Sequence, residues 1–177
     1  MRMPPLSVAL PDRLETDRLV LRAPAMSDVP AIARLADNPK IHEMTTLPYP
    51  YGEADAVAFV ENYARSETEH AYAICNSDGF IGTIGLHLKP DSAPELGYWL
   101  GEPFWGQGYA TEAAIALVQA AHATGLCSVL YAKARSTNAA SRSVIEKIGF
   151  KLISEGVANC GPHKDVSVAT YAIGAGL

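Results

Sequence analysis

The chain has 177 residues, 49% hydrophobic and 19% charged, enough to bury one core without disulfide staples, so a single domain spanning 1–177 is expected. Its formal charge of −5 and pI of about 5.5 remove the general attraction to phosphate backbones on which nucleic-acid binders depend. No apolar run approaches a membrane span, prolines and charges interrupt the start where a secretory signal needs an apolar stretch, and Cys75, Cys127 and Cys160 have no metal-ligand spacing. These features point to a reduced cytoplasmic protein with no membrane, nucleic-acid or metal partner.

The segment 1–13 reads as a loose N-terminal extension. Residues 18–23 follow as a short strand, and Ser27 and Asp28 open a helix that Asn38 and Pro39 stop. After a loop rich in proline and tyrosine, Ala56, Phe59, Val60 and Tyr63 fall on one stripe of a second helix. Segments 71–75 and 80–88 flank the turn residues 76–79 as a hairpin, and 95–100 is a further strand. An alanine-rich helix spans 111–124, and small residues let it lie close against a sheet. Then come a strand at 129–134, a helix capped by Asn138 and ended by Gly149, and strands near 151–157 and 166–173. The order is strand, two helices, three strands, helix, strand, helix, two strands: a mixed α/β (α+β) domain.

The loop EPFWGQG, 102–108, places two glycines just before the alanine-rich helix. Glycine lets backbone approach a ligand closely, and the first N–H groups of a helix lack partners within it, so such a turn suits an anion. A P-loop needs a Lys-Ser/Thr pair after the last glycine, but Tyr109 and Ala110 stand there. A dinucleotide site needs a third glycine, where Thr111 stands, and a later acidic residue; 113–145 contains no Asp or Glu. What is left is a pyrophosphate held by backbone amides, as coenzyme A carries, or a tight structural turn.

Three stretches carry a family resemblance: ELGYWLGEPFWGQGYATEA at 95–113, NAASRSVIEKIGF at 138–150 and LETDRLVLR at 14–22. Together they resemble the GNAT acetyltransferases, in the RimJ/RimL-like branch that acetylates ribosomal proteins. The branch often has tryptophan where Trp105 opens the loop, although other members of the superfamily have Gln or Arg. The resemblance implies a mostly antiparallel mixed sheet splayed at the acetyl-CoA site and flanked by helices. It further implies that amides from Gly106, Gln107, Gly108, Tyr109, Ala110 and Thr111 hold the pyrophosphate. Asn138 would contact the pantetheine arm or simply cap its helix. No metal is implied.

Acetyl transfer to an amine needs a proton acceptor for the ammonium, donors for the oxyanion and a proton for the leaving thiolate. A backbone N–H of Trp99 or Leu100 is the oxyanion candidate. Glu95 is the first candidate base, a solvated carboxylate being the competing reading, and His87 the second. Where many superfamily members have a helix tyrosine as the acid, Ile145 stands. Ser141 lies on the buried stripe instead, and by resemblance contacts the coenzyme sulfur. A covalent route through Cys160 near His163 is a weaker alternative. Segments 39–51 and 160–165, with Tyr49 and Tyr51, would border the acceptor. That acceptor is a peptide N-terminus or a small amine such as a polyamine, an antibiotic or an amino-acid-like toxin. A non-catalytic acyl-CoA-binding module is the reading of a different class. The protein would be a monomer or homodimer.

Overall fold

The computed structural model describes residues 5–174. One sheet contains β1 (Arg13–Glu15), β2 (Val20–Arg22), β3 (Glu69–Asn76), β4 (Gly79–Lys89), β5 (Ser92–Leu100), β6 (Val129–Arg135), β7 (Lys151–Cys160) and β8 (His163–Gly174). The spatial order is β1-β2-β3-β4-β5-β6-β8-β7. Every neighbouring pair is antiparallel except β5 with β6. The helices are α1 (Leu6–Ala9), α2 (Val29–Ala36), α3 (Pro39–Met44), α4 (Glu53–Ala58), α5 (Tyr109–Ala123) and α6 (Ala139–Lys147). Among the described residues no helix is long and apolar enough to cross a membrane.

The sheet divides two cores, as period-2 alternation requires of strands covered on both sides. On one face, Tyr72, Ile74, Ile84, Leu86, Leu96 and Leu100 meet Ala113, Ala114, Leu117 and Ala121 of α5 and Ile145 of α6. The small side chains of α5 bring its backbone close to the strands. On the other face, Ala73 and Phe80 meet Val29, Ile32, Leu35 and Ala36 of α2 and Ala56 of α4.

The hairpin of β3 and β4 turns where Asn76 Oδ1 accepts from the Asp78 amide at 2.9 Å, a local bond that supports the turn. Two expected boundaries shift for physical reasons. Asn38 and Pro39 end α2 but also open α3, with the Asn38 side chain accepting from the Lys40 amide and Pro39 in the first turn. The expected second helix runs from α4 into a π-helical turn at Phe59–Tyr63. The wider turn rotates the stripe, leaving Tyr63 61% exposed. Of the expected extension, residues 1–4 lie outside the described residues. Leu10 is buried in the core, and the Tyr72 hydroxyl donates to the Pro11 carbonyl at 2.5 Å.

The feature that creates a site lies between β5 and β6. They are in register only at Glu95↔Tyr131 and Leu96↔Ala132. Beyond Leu96, β5 follows β4 through Thr83↔Trp99 and Gly82↔Leu100, while β6 follows β8 through Lys133↔Thr170 and Arg135↔Val168. The sheet therefore splits from Gly97 onward.

Candidate active site

The glycine loop stands beside this split. Trp105 Nε1 donates to the Leu100 carbonyl at 2.7 Å and ties the loop to the end of β5. Gly108, immediately before α5, has φ +82, a left-handed conformation costly for a residue with a β-carbon. Among the described residues, no acceptor is found for the backbone N–H groups of Gly106 through Thr111; the first amide to find one is Glu112, on the Gly108 carbonyl at 3.1 Å. These free donors at a helix N-terminus make a ready anion cradle.

The cradle is fastened by the opening of the chain. Glu112 Oε1 accepts from the Thr16 hydroxyl at 2.6 Å and the Arg18 amide at 2.9 Å, and Glu112 Oε2 from Arg18 Nε at 2.7 Å. Arg18 also donates to the Gln107 carbonyl at 2.9 Å and lies over the Tyr109 ring, 4.5 Å from its centroid. Burial pushes the Glu112 carboxyl upward, but the bonds from Thr16 and Arg18 outweigh it and hold the group below its ordinary value. Arg18 Nη2 is 3.3 Å from where a β-carbon of Gly108 would stand. Positive charge thus reaches the loop from a residue that sequence reasoning placed only in a motif.

Inside the split, strand alternation sorts the backbone donors. The Gly101 amide bonds to Ile81 on β4 at 2.9 Å, and a β-carbon at Gly82 would stand 2.2 Å from the Trp99 carbonyl. Trp99 therefore presents its backbone to β4, whereas Tyr98 and Leu100 present theirs to the gap. Of the two expected amides, that of Leu100 faces the gap and that of Trp99 faces β4, while that of Tyr98 also faces the gap. The Trp99 ring instead packs near Phe80, 6.0 Å between centroids.

Across the gap, Ser141 on α6 lies with its Oγ 3.0 Å from the Tyr98 hydroxyl. Asn138 Oδ1 accepts from the Ser141 amide at 3.1 Å, so the capping reading of Asn138 holds and its NH₂ remains directed elsewhere. Burial pushes the Tyr98 hydroxyl up, against the Ser141 bond, and keeps it a proton donor at neutral pH. Tyr98 was missed because its alternation with Leu96 and Leu100 reads as core.

The opposite face carries a titratable row. Glu69, His87, Glu95 and Tyr131 are aligned in register across β3, β4, β5 and β6. His87 Nδ1 is paired with Glu69 Oε2. Glu95 Oε2 lies 3.4 Å from Lys89 Nζ and 3.2 Å from Lys133 Nζ. Both expected base candidates are thus brought together, but Glu69, Lys89 and Lys133 come from strands whose pairing no local pattern revealed. Segments 39–51 and 160–165 also meet. The rings of His42 and His163 are 4.7 Å apart, and His163 Nε2 lies 2.7 Å from the His42 carbonyl. Tyr49 reaches this cluster, its ring 5.9 Å from His42. Tyr51 is buried in the α2 core, its hydroxyl pushed up to about 12 by burial and then by Asp55.

A split sheet beside an anion cradle, with proton-handling groups on both faces, describes a group-transfer enzyme rather than a structural module. Residues 18–151 match the acetyltransferase (GNAT) domain family. The chain belongs to the GNAT acetyltransferase family and is an acetyl-CoA-dependent N-acetyltransferase. It is similar to the uncharacterised N-acetyltransferases p20 of Bacillus licheniformis, 22% identical over 79% of this chain and 83% of that protein, and YoaA of Bacillus subtilis (strain 168), 28% identical over 81% and 84%. Among solved structures, a GNAT-family acetyltransferase from Bacillus anthracis is 19% identical with a TM-score of 0.81, covering 92% of this chain and 98% of that one. The ribosomal L7/L12 α-N-protein acetyltransferase RimL, in complex with coenzyme A, is 24% identical with a TM-score of 0.79 over 93% and 97%. The microcin C7 self-immunity acetyltransferase MccE, in complex with acetyl-CoA and AMP, is 22% identical with a TM-score of 0.80 over 94% and 99%. At these identities the structural likeness establishes the shared fold.

Proposed function

We propose that the acetyl group passes to a protein N-terminal α-amine. The observation that carries this is the openness of the row opposite the coenzyme cradle: the side chains of His87 and Lys133 are 48% and 41% exposed, so a chain end can reach them without entering a closed cavity. RimL, a neighbour in fold, acts on such an amine.

Acetyl-CoA supplies an activated acetyl group, and the residues present fit it. The unpartnered amides from Gly106 through Thr111, with Arg18 beside them, suit its pyrophosphate. The NH₂ of Asn138, which has no partner among the described residues, suits a pantetheine carbonyl. Amides of Tyr98 and Leu100 face the gap, where they would stabilise charge developing on the acetyl oxygen. The hydrogen-bonded hydroxyls of Tyr98 and Ser141 lie against the same gap and would return a proton to the thiolate. The proton of the incoming ammonium leaves through the row on the other face.

A second reading, acetylation of a small amine, draws on the contact of His42 with His163, which closes one end of the acceptor side. MccE, another neighbour in fold, is in complex with both acetyl-CoA and AMP. The test is incubation with acetyl-CoA and a panel of free-amine peptides, the same peptides Nα-blocked, polyamines and amine antibiotics, followed by mass spectrometry. Acetylation of free but not blocked peptides is expected. Product only from polyamines or antibiotics transfers the assignment to the second reading. Coenzyme binding with no product anywhere turns it into an acyl-CoA-binding module.

A further inference from the structure

We propose that His87, steered by Glu69 and seated over Gly97, takes the proton from the attacking amine, and that Glu95 is a positioning residue. This rests on the amine-transfer reading above and assigns its missing proton acceptor.

Place is the first argument. Gly97 is the first β5 residue beyond the last register pair with β6, so it marks the point where the strands part. A β-carbon there would stand 3.0 Å from His87 Nε2. The imidazole therefore hangs over the mouth of the gap, and the absent side chain of Gly97 leaves its way clear. Orientation is the second. Because Nδ1 faces the Glu69 carboxylate, it carries the ring proton in the neutral form, and the Nε2 lone pair points away, free to accept. The third argument concerns the alternative base. Glu95 already holds the ammonium groups of Lys89 and Lys133 at its Oε2, and these two cations repel an incoming ammonium.

The groups around His87 are Glu69 on β3, Lys89 on β4 and Glu95 on β5, with Lys133 on β6 behind Glu95. The Glu69 bond raises the imidazole above its ordinary value; burial and Lys89 oppose it, while the charges of Glu69 and Glu95 add to it. In the reaction, an ammonium gives one proton to Nε2 and its freed electron pair forms the C–N bond. The C–S bond breaks, the sulfur leaves with the electron pair of that bond and gains a proton, and the nitrogen sheds its second. Amine cation and thioester thus yield amide, thiol and one proton released to solvent.

The test uses the full chain with the peptide it acetylates. His87→Gln is expected to lower kcat about 100-fold while coenzyme A affinity stays unchanged, and imidazole in the buffer to restore part of the rate of His87→Ala. Gly97→Ala, which presses a methyl group against Nε2, is expected to lower kcat as well. Glu69→Gln is expected to move the acidic limb of kcat toward lower pH, a shift that a merely structural role would not produce. Wild-type rates in His87→Gln, with the limb lost in Glu95→Gln, overturn the proposal and return the role to Glu95. Absence of any product from the wild-type chain is instead a failure of the amine-transfer reading. Independently of any acceptor, ¹⁵N spectra of the His87 ring are expected to show the Nδ1–H tautomer, with a titration that falls in Glu69→Gln. An Nε2–H tautomer overturns the proposal.

Discussion

His70 and His87 sit on adjacent strands of one sheet and are driven in opposite directions. His70 is 3% exposed on the α5 face, its Nε2 has no partner among the described residues, and burial, followed by the charge of Arg65, pushes it down to about 4. His87, on the other face, is half exposed and raised by Glu69. The difference lies in surroundings, since desolvation acts on both but His87 is hydrogen-bonded to the Glu69 carboxylate, whereas for His70 the opposing charge of Asp12 is outweighed by burial and Arg65. The face proposed for the coenzyme is held by fixed hydrogen bonds, whereas the face proposed for the acceptor keeps charged groups near water, where they can exchange protons.

The sharpest way to break this contrast is at Glu112. Its carboxylate gathers the Thr16 hydroxyl, the Arg18 amide and the Arg18 guanidinium while 19% exposed, so Glu112→Ala leaves several donors unpaired. A loss of about 3 kcal/mol in stability is expected, at the upper end for bonds to a charged group, with coenzyme A affinity at least roughly tenfold weaker. Denaturant titration and calorimetry measure the two. Lys133→Ala, on the acceptor face, is expected to leave coenzyme A affinity alone; equal losses in both variants would mean that the faces are not separate.

His70 supplies the next effect. Its folded value, about 4, lies below the ordinary 6.5, so the unfolded chain takes up a proton first as pH falls. Its contribution is complete above about pH 6.5 and is lost progressively toward pH 4, by up to about 3 kcal/mol. His87 has the opposite sign: its raised value stabilises below the unfolded pKa, and that contribution fades as pH rises through the folded one. Denaturant midpoints measured between pH 7 and pH 4 should fall less steeply in His70→Leu than in the wild type. An unchanged slope would show that His70 is not buried as a neutral ring.

Tyr98 tests the coenzyme face at the gap itself. Tyr98→Phe keeps the ring but removes the hydroxyl that lies 3.0 Å from Ser141 Oγ, and about a tenfold fall in kcat is expected, with little change in KM for acetyl-CoA. If the hydroxyls act as a pair, adding Ser141→Ala costs little more. Fully additive losses, measured by steady-state kinetics, would assign them separate tasks.

The geometry of the glycine loop and α6 was largely legible because its signals are local. The glycines before α5, the Asn138 cap and the serine on the stripe of α6 lie within continuous motifs, and turn or helix geometry fixes their orientation. What escaped was tertiary. Arg18 acts on a loop about ninety residues away, as the separation of its bond to Gln107 records, and Tyr98 looked like core because alternation specifies a face and not what lies above it. The acceptor face was less legible still. Glu69, His87, Glu95 and Lys133 come from different strands, and their alignment depends on registers that hairpin and crossover geometry set. Asn38 with Pro39 shows the local limit, since the residues that stop one helix are also those that start the next.

The smallest effect belongs to Cys160, and it bears on how far the acceptor face takes part in chemistry. Cys160 and His163 are register partners at the tip of the β7–β8 hairpin, which made a covalent route conceivable from sequence. A nucleophilic thiol needs a nearby base free to take its proton. The His163 ring instead spends Nε2 on the His42 carbonyl at 2.7 Å and packs against the His42 ring, so it fixes the hairpin tip over α3. The thiol is only partly buried, and a serine of similar size disturbs little. Cys160→Ser is therefore expected to retain kcat within about twofold and stability within ~0.5 kcal/mol, the usual range for a site outside the core. His163→Ala, which frees the hairpin, should raise KM for the acceptor more than it lowers kcat. A mass increase of one acetyl group on the wild-type chain mixed with acetyl-CoA alone, absent in Cys160→Ser and joined to a 100-fold loss of rate, would place a covalent step on this face and undo the proposed division between a face that holds the coenzyme and a face that receives the amine.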